Sequence, residues 1–321
     1  MHFLPRTRVA MRRPTGFAGG MPNRRRLLQL AVLSPLVAMV GPGAAGAQGG
    51  GARSFSTRVV QSGHSLTDPI VPVLWAMVAA AGGAGAAQSV IDLSTIPGSP
   101  MDWRWNHRNQ YMRDARDDIA DYDLLVITER APLSGTFDGH NSPEEALRWF
   151  NHANSKGSDG AGAESILYAT WVHTDSGPGS VHDQNDPEGH LTFRERLPLE
   201  MARWQAIADH VNDHRPEGSQ PMQVIPGPLI MAAVHDAIEA GAAPGLSRIE
   251  DLFSDTIHLN AQGAYLISLA HFAVIYGQDP RALTRGMGRL ETPPAETATW
   301  MREMVHEVLA GYGSAGYPHG G

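Results

Sequence analysis

A chain of 321 residues with 42% hydrophobic content can bury one large core. Its formal charge of −8 and the lack of any long basic run in the body of the chain argue against nucleic acid as a partner. Cysteine is absent, which removes disulfides, thiolate nucleophiles and Cys-based zinc sites.

The first segment reads as an export signal over residues 1–47. Arg24-Arg25-Arg26-Leu27-Leu28 leads into an apolar stretch from Leu27 to Val40 that closes on the small-residue end Ala45-Gly46-Ala47. Paired arginines followed by leucines are similar to the twin-arginine signal, so cleavage after Ala47 and a periplasmic or secreted location are expected. Pro35 and Pro42 break the stretch short of the roughly 20 apolar residues a membrane span needs, so no stable span is expected once the signal is removed. Residues 48–56, Gly/Ala/Ser-rich and without periodicity, are expected to form a flexible leader.

From Thr57 onward, short β-rich runs alternate with helical patterns. The strands are expected at Arg58 to Gln61, Ser89 to Leu93, Asp123 to Thr128, Ser165 to Trp171 and Gln223 to Ile225. Helices are expected at Pro69 to Ala81, Asn109 to Ala120, Pro143 to Asn154, Arg194 to His214, Leu229 to Ala240 and Ala261 to Tyr276, with start signals at Asp68, Ser142 and Asn260. Five strands separated by helices predict an α/β domain over 57–290 built on a parallel five-stranded sheet with right-handed crossovers. Residues 291–321 add a helix from Thr297 to Leu309 and a Gly-rich end expected to be loose from Gly311.

Ser65, in Gly63-His64-Ser65-Leu66, falls just beyond the first strand, where such sheets bind ligands, and the helix that follows turns its positive end toward it. A serine hydroxyl needs a base, and an imidazole held by a carboxylate supplies one. Asp255-Thr256-Ile257-His258-Leu259 offers both on one segment, which makes Ser65, His258 and Asp255 the candidate catalytic residues. His140, His152, His173, His182 and His190 have no compact ligand spacing, so neither a metal nor another cofactor is expected.

The two blocks, in this order and separation, resemble the SGNH or GDSL hydrolases, whose first block is Gly-Asp-Ser-Leu and whose last is Asp-x-x-His. His64 stands where that family has Asp. The resemblance covers roughly Arg58 to Gly277 and implies a three-layer α/β/α sandwich of the flavodoxin-like kind around the parallel sheet, with metal-free esterase activity. It points to Gly98, in Ile96-Pro97-Gly98-Ser99, as an oxyanion donor beside the Ser65 N–H, although a plain turn explains that glycine equally well. The Asn of the family's third block is missing from Leu124-Leu125-Val126-Ile127-Thr128-Glu129-Arg130-Ala131, and Asn106 is the candidate replacement. His64, Trp103 and Trp105 are candidates for contact with substrate, the two tryptophans fitting core packing as well. The expected reaction is hydrolysis of O-acyl, in particular acetyl, esters of carbohydrates or small molecules. The alternative is a non-catalytic carbohydrate-binding module on the same fold.

Overall fold

The structure is a computed structural model that describes residues 52–82, 89–180, 186–284, 287–288 and 290–318. The expected export signal, residues 1–47, lies outside the described residues, as do 48–51 of the leader.

Five strands form one wholly parallel sheet in the order β2-β1-β3-β4-β5. They are β1 (Arg58–Gly63), β2 (Val90–Thr95), β3 (Leu124–Ile127), β4 (Glu164–Ala169) and β5 (Gln223–Pro226). β1 therefore sits between β2 and β3, and the winding reverses there. Such a reversal parts the loops at the carboxyl ends of the two strands and opens the crevice in which doubly wound sheets bind ligands.

The period of two along each strand sorts residues to opposite faces. Val59, Leu124, Val126, Ile166, Tyr168 and Ile225 enter one core. Their neighbours Val60, Leu125, Ile127, Leu167 and Val224 enter the other. The first core is completed by α1 (Ile70–Ala81), α6 (Gly227–Glu239), α7 (Ala261–Tyr276) and α8 (Ala295–Ala310), and the second by α2 (Met101–Asn106) and α4 (Ser142–Lys156). Helix α5 (Phe193–His214) serves both, with Phe193 and Leu197 in the first and Met201, Trp204 and Ile207 in the second. A single turn, α3 (Leu133–Thr136), precedes α4. Helices thus cover both faces of the sheet, giving the three-layer sandwich that the resemblance implies around the parallel sheet that the alternating pattern predicts.

Most elements fall where periodicity puts them, and the exceptions have local causes. The helix expected at Asn109 to Ala120 is an irregular loop ending in a short 3-10 turn, Ile119–Asp121. Asn109 Oδ1 accepts the Tyr111 and Met112 N–H groups, while Asp114 accepts those of Asn109, Arg116 and Asp117. Short polar side chains here outcompete the helix for its own backbone donors. Asp68 does not cap α1, because its carboxylate accepts the Thr95 hydroxyl at 2.6 Å and the helix begins two residues later. Asn141 rather than Ser142 is the cap position of α4, whereas Asn260 caps α7 as expected, accepting from Gln262 and Gly263 N–H. Helix α7 ends at Gly277, which takes the left-handed region at φ 61° and stops the helix there.

Two segments expected to be loose are packed. Within the leader, Arg53 donates to Glu164, to Gln223 and to the Val274 and Ile275 carbonyls, tying it to the ends of β4, β5 and α7. In the tail, Ala315 and Tyr317 are buried, and the Tyr317 hydroxyl lies 2.9 Å from His306 Nδ1.

Helix α7 is buried on every side from Gly263 to Tyr276 and includes His271. The His271 Nδ1–H donates to the Ile267 carbonyl, and burial pushes its pKa down to about 4. Unfolded chain takes up this proton below about pH 6.5, whereas the native protein refuses it until about pH 4, so the contribution to stability is full above 6.5 and lost on the way down. His64 acts in the same direction, and the raised Glu129 and Glu200 act in the opposite one. The difference between wild type and His271→Leu isolates the single site. In urea melts between pH 6.5 and 4, the variant is expected to lose stability more slowly by up to about 1.4 kcal/mol per pH unit, one proton's worth. Parallel stability curves would show that this imidazole does not carry the effect.

Candidate active site

The nucleophile candidate is placed by the way β1 ends. The Thr67 N–H reaches back to the His64 carbonyl at 2.8 Å and the Ile70 N–H to the Thr67 carbonyl at 3.1 Å, so Ser65 sits on a tight strand-to-helix turn. A Cβ at Gly63 would meet the buried Thr67 Oγ1 at 2.1 Å and Thr128 Cγ2 at 3.1 Å, so only glycine lets β1 run this close to its neighbours. His64 points inward. Its Nδ1 accepts the Leu66 N–H and its Nε2–H donates to the Glu129 carbonyl at 3.0 Å, bridging the loops after β1 and β3. Burial, reinforced by the Arg104 charge, lowers its pKa to about 4, so the ring is neutral and serves as a strut.

The base candidate comes from the loop before α7. An antiparallel bridge between Phe253 and Leu259 closes that loop, and the Ser254 N–H donates to the His258 carbonyl at 2.8 Å. Asp255 Oδ1 accepts the N–H groups of Ile257 and His258 at 2.8 and 2.7 Å, folding the loop around its own carboxylate. The other oxygen, Oδ2, lies 2.7 Å from His258 Nδ1, and His258 Nε2 lies 2.8 Å from Ser65 Oγ. A carboxylate only accepts, so Nδ1 carries the hydrogen and Nε2 is left to accept from the serine hydroxyl. Burial raises the Asp255 pKa, but the His258 and Ile257 N–H groups and the imidazole outweigh it and hold the group at about 2.

The β4 end holds this loop from outside. Trp171 Nε1 donates to the Ile257 carbonyl, the Thr174 N–H to the Thr256 carbonyl, and His173 Nδ1 meets Thr256 Oγ1 at 2.8 Å. Solvent still reaches the site, with the His258 side chain 41% and the Asp255 side chain 54% exposed.

The residues expected around this relay are placed unevenly. Gly98 lies on an exposed turn at φ 66°, and that turn is tied to β1 through the Ile96 N–H and the Gly63 carbonyl, 3.1 Å apart. Asn106 is not brought to the serine. Its amide donates to the Asp102 carbonyl one turn back in α2 at 2.8 Å, which turns the group expected to face the oxyanion back onto its own helix. Trp105 also departs from the expected substrate contact, packing edge-on against Trp149 at 5.1 Å with the Arg148 guanidinium 4.2 Å over its ring. Trp103 is half-exposed and stacks on His107 at 3.6 Å. Among the described residues no three His, Asp or Glu side chains converge as metal ligands.

Two charged residues that the sequence reading left without a role lie fully buried behind the turn. Arg104, in α2, donates from Nε to Ser62 Oγ at 3.2 Å and from its two other nitrogens to the Ser99 and Thr128 carbonyls. Glu129 follows β3, and its Oε1 accepts the Met101 and Arg130 N–H groups. Burial raises the Glu129 pKa against the pull of Arg104 and those N–H groups. The signal available in the sequence was a charge at the inner end of an apolar strand and another between two tryptophans. Six residues of α2 behind Pro97 and Pro100 are too few for a periodicity to emerge.

No protein-family model matches this chain, and no curated protein does. Among solved structures, a DUF4886 family protein from Bacteroides uniformis superposes with a TM-score of 0.57 at 13% identity, covering 79% of this chain and 94% of its own. An acetyl xylan esterase gives 0.44 at 12% identity over 68% of this chain and 99% of its own. A protein from Slackia heliotrinireducens, described as a proposed SGNH hydrolase, gives 0.40 at 16% identity over 67% and 97%. At these identities the likeness extends to the fold, and any activity has to be argued from the residues themselves.

Proposed function

We propose that this chain is a serine hydrolase that cleaves O-acyl esters, in particular acetyl esters of carbohydrates or small molecules, and that it is exported to the periplasm or beyond. The observation that carries the reading is the continuous path from Asp255 through His258 to Ser65, with contacts of 2.7 and 2.8 Å. Ser65 Oγ attacks the ester carbonyl carbon while His258 Nε2 takes its proton. The resulting oxyanion is received by the N–H groups of Ser65 and Gly98. The C–O bond then breaks, His258 gives the proton to the leaving alcohol, and the acyl group remains on Ser65. Water attacks this acyl-enzyme with His258 again as base, releasing the carboxylic acid and restoring the serine. Asp255 keeps the imidazole in the tautomer that can accept, and it balances the imidazolium as it forms. The open site suits small or chain-end esters, which do not require a deep acyl tunnel.

The test uses protein without residues 1–47, p-nitrophenyl acetate and a fluorophosphonate probe. Steady turnover unaffected by EDTA and labelling of Ser65 are the expected results. Wild type that neither turns over nor becomes labelled would overturn the esterase reading in favour of the binding module. Activity abolished by EDTA would overturn the metal-free mechanism.

A further inference from the structure

We propose that Arg104 is a positioning residue that locks the Ser65 turn and the Gly98 turn into one oxyanion-binding geometry; this rests on the esterase reading above. The guanidinium is held by partners from three separate segments. Ser62, bonded through its hydroxyl, is three residues before Ser65 on β1. Ser99, bonded through its carbonyl and its hydroxyl, is the residue after Gly98. Thr128, bonded through its carbonyl, precedes Glu129, whose own carbonyl takes the His64 Nε2–H. One planar group therefore ties together the segments that carry the two expected oxyanion donors, Ser65 N–H and Gly98 N–H, through Ser62 on one and Ser99 on the other. Arginine suits this task because its donors are rigidly forked and its charge is permanent at working pH.

The environment argues against a purely architectural role. Arg104 is 4% exposed, and its hydrogen bonds go to neutral oxygens. No carboxylate pairs with it within 4.0 Å among the described residues, the nearest influences being the more distant charges of Glu129 and Asp102. Burying a cation this way is costly, and an apolar side chain fills such a space more cheaply. What the cation adds is a fixed positive field at the carboxyl edge of β1 and β3, where an oxygen acquires negative charge during acyl transfer. That field and the bonded framework take over the task left open by the missing third-block Asn and by an Asn106 amide occupied elsewhere.

The experiment compares wild type, Arg104→Lys and Ser62→Ala by kcat and KM on p-nitrophenyl acetate and by inhibition with a small alkylboronic acid, which forms a negatively charged tetrahedral adduct with a reactive serine. Arg104→Lys keeps the charge but loses the fork, and kcat is expected to fall on the order of 10²-fold, the scale of losing an oxyanion donor, with KM within about threefold. Boronate affinity is expected to fall by the same factor, since it reports the transition state and not the substrate. Ser62→Ala leaves the buried charge in place and is expected to lower kcat about fivefold, the worth of one hydrogen bond. Should Arg104→Lys fail to fold, Ser62→Ala decides alone. Variants that keep kcat and boronate affinity, or that raise KM while kcat stands, overturn the positioning role. A wild-type protein without turnover overturns the esterase reading beneath it instead.

Discussion

Ser65→Ala is expected to lower kcat/KM on p-nitrophenyl acetate by about 10⁵- to 10⁶-fold and to abolish fluorophosphonate labelling, while the melting temperature stays within about 2 °C of wild type. The two halves of this result have different causes. Among the described residues Ser65 Oγ is the hydroxyl bonded to His258 Nε2, at 2.8 Å, so removing it leaves a base with no nucleophile to activate. Whatever rate survives comes from water acting against the same oxyanion donors. The small thermal effect follows from exposure. Among the described residues the lost hydroxyl bonds the side chain of His258, which is 41% exposed and can turn to water. No core contact is given up. A variant that kept more than a hundredth of wild-type turnover would show that another group performs the attack.

Asp255→Asn is expected to lower kcat by about 10³-fold with little change in KM. In the wild type one carboxylate oxygen accepts two backbone N–H groups and the other accepts the Nδ1–H of His258. An amide can satisfy the backbone donors only with its oxygen, which turns its NH₂ toward Nδ1. The imidazole must then accept on Nδ1 and carry its hydrogen on Nε2, where it cannot take the serine proton. Buried aspartates in such relays cost about 10⁴-fold when changed this way, and the expected loss is smaller here because Asp255 is more than half exposed and water screens its charge. Loop folding should survive, since both backbone bonds are kept. A loss of less than tenfold would remove Asp255 from the orienting role.

Position along the chain decides how visible each part of the molecule is before folding. Strand runs such as Leu124 to Ile127 and the α7 segment Ala261 to Tyr276 declare themselves because continuous apolar residues admit few other uses. Ser65 and the Asp255–His258 pair are legible for a related reason: each motif is local, its residues within three positions of one another. The loop at 109–118 misleads because its composition suits a helix while Asn109 and Asp114 divert the backbone donors that the helix would need.

The sequence by itself thus determined the alternation of strands and helices, the sheet that follows from it, and the candidate nucleophile, base and orienting carboxylate. Only the tertiary structure decided what stands behind them. His64, Arg104 and Glu129 are buried because β1, β2 and β3 bring their carboxyl ends together, and each has a partner 24 to 65 residues away along the chain. The physical reason is burial. A motif is written in neighbouring residues, whereas the pKa of an imidazole and the partners of a guanidinium depend on which distant backbone atoms fold against them and exclude water.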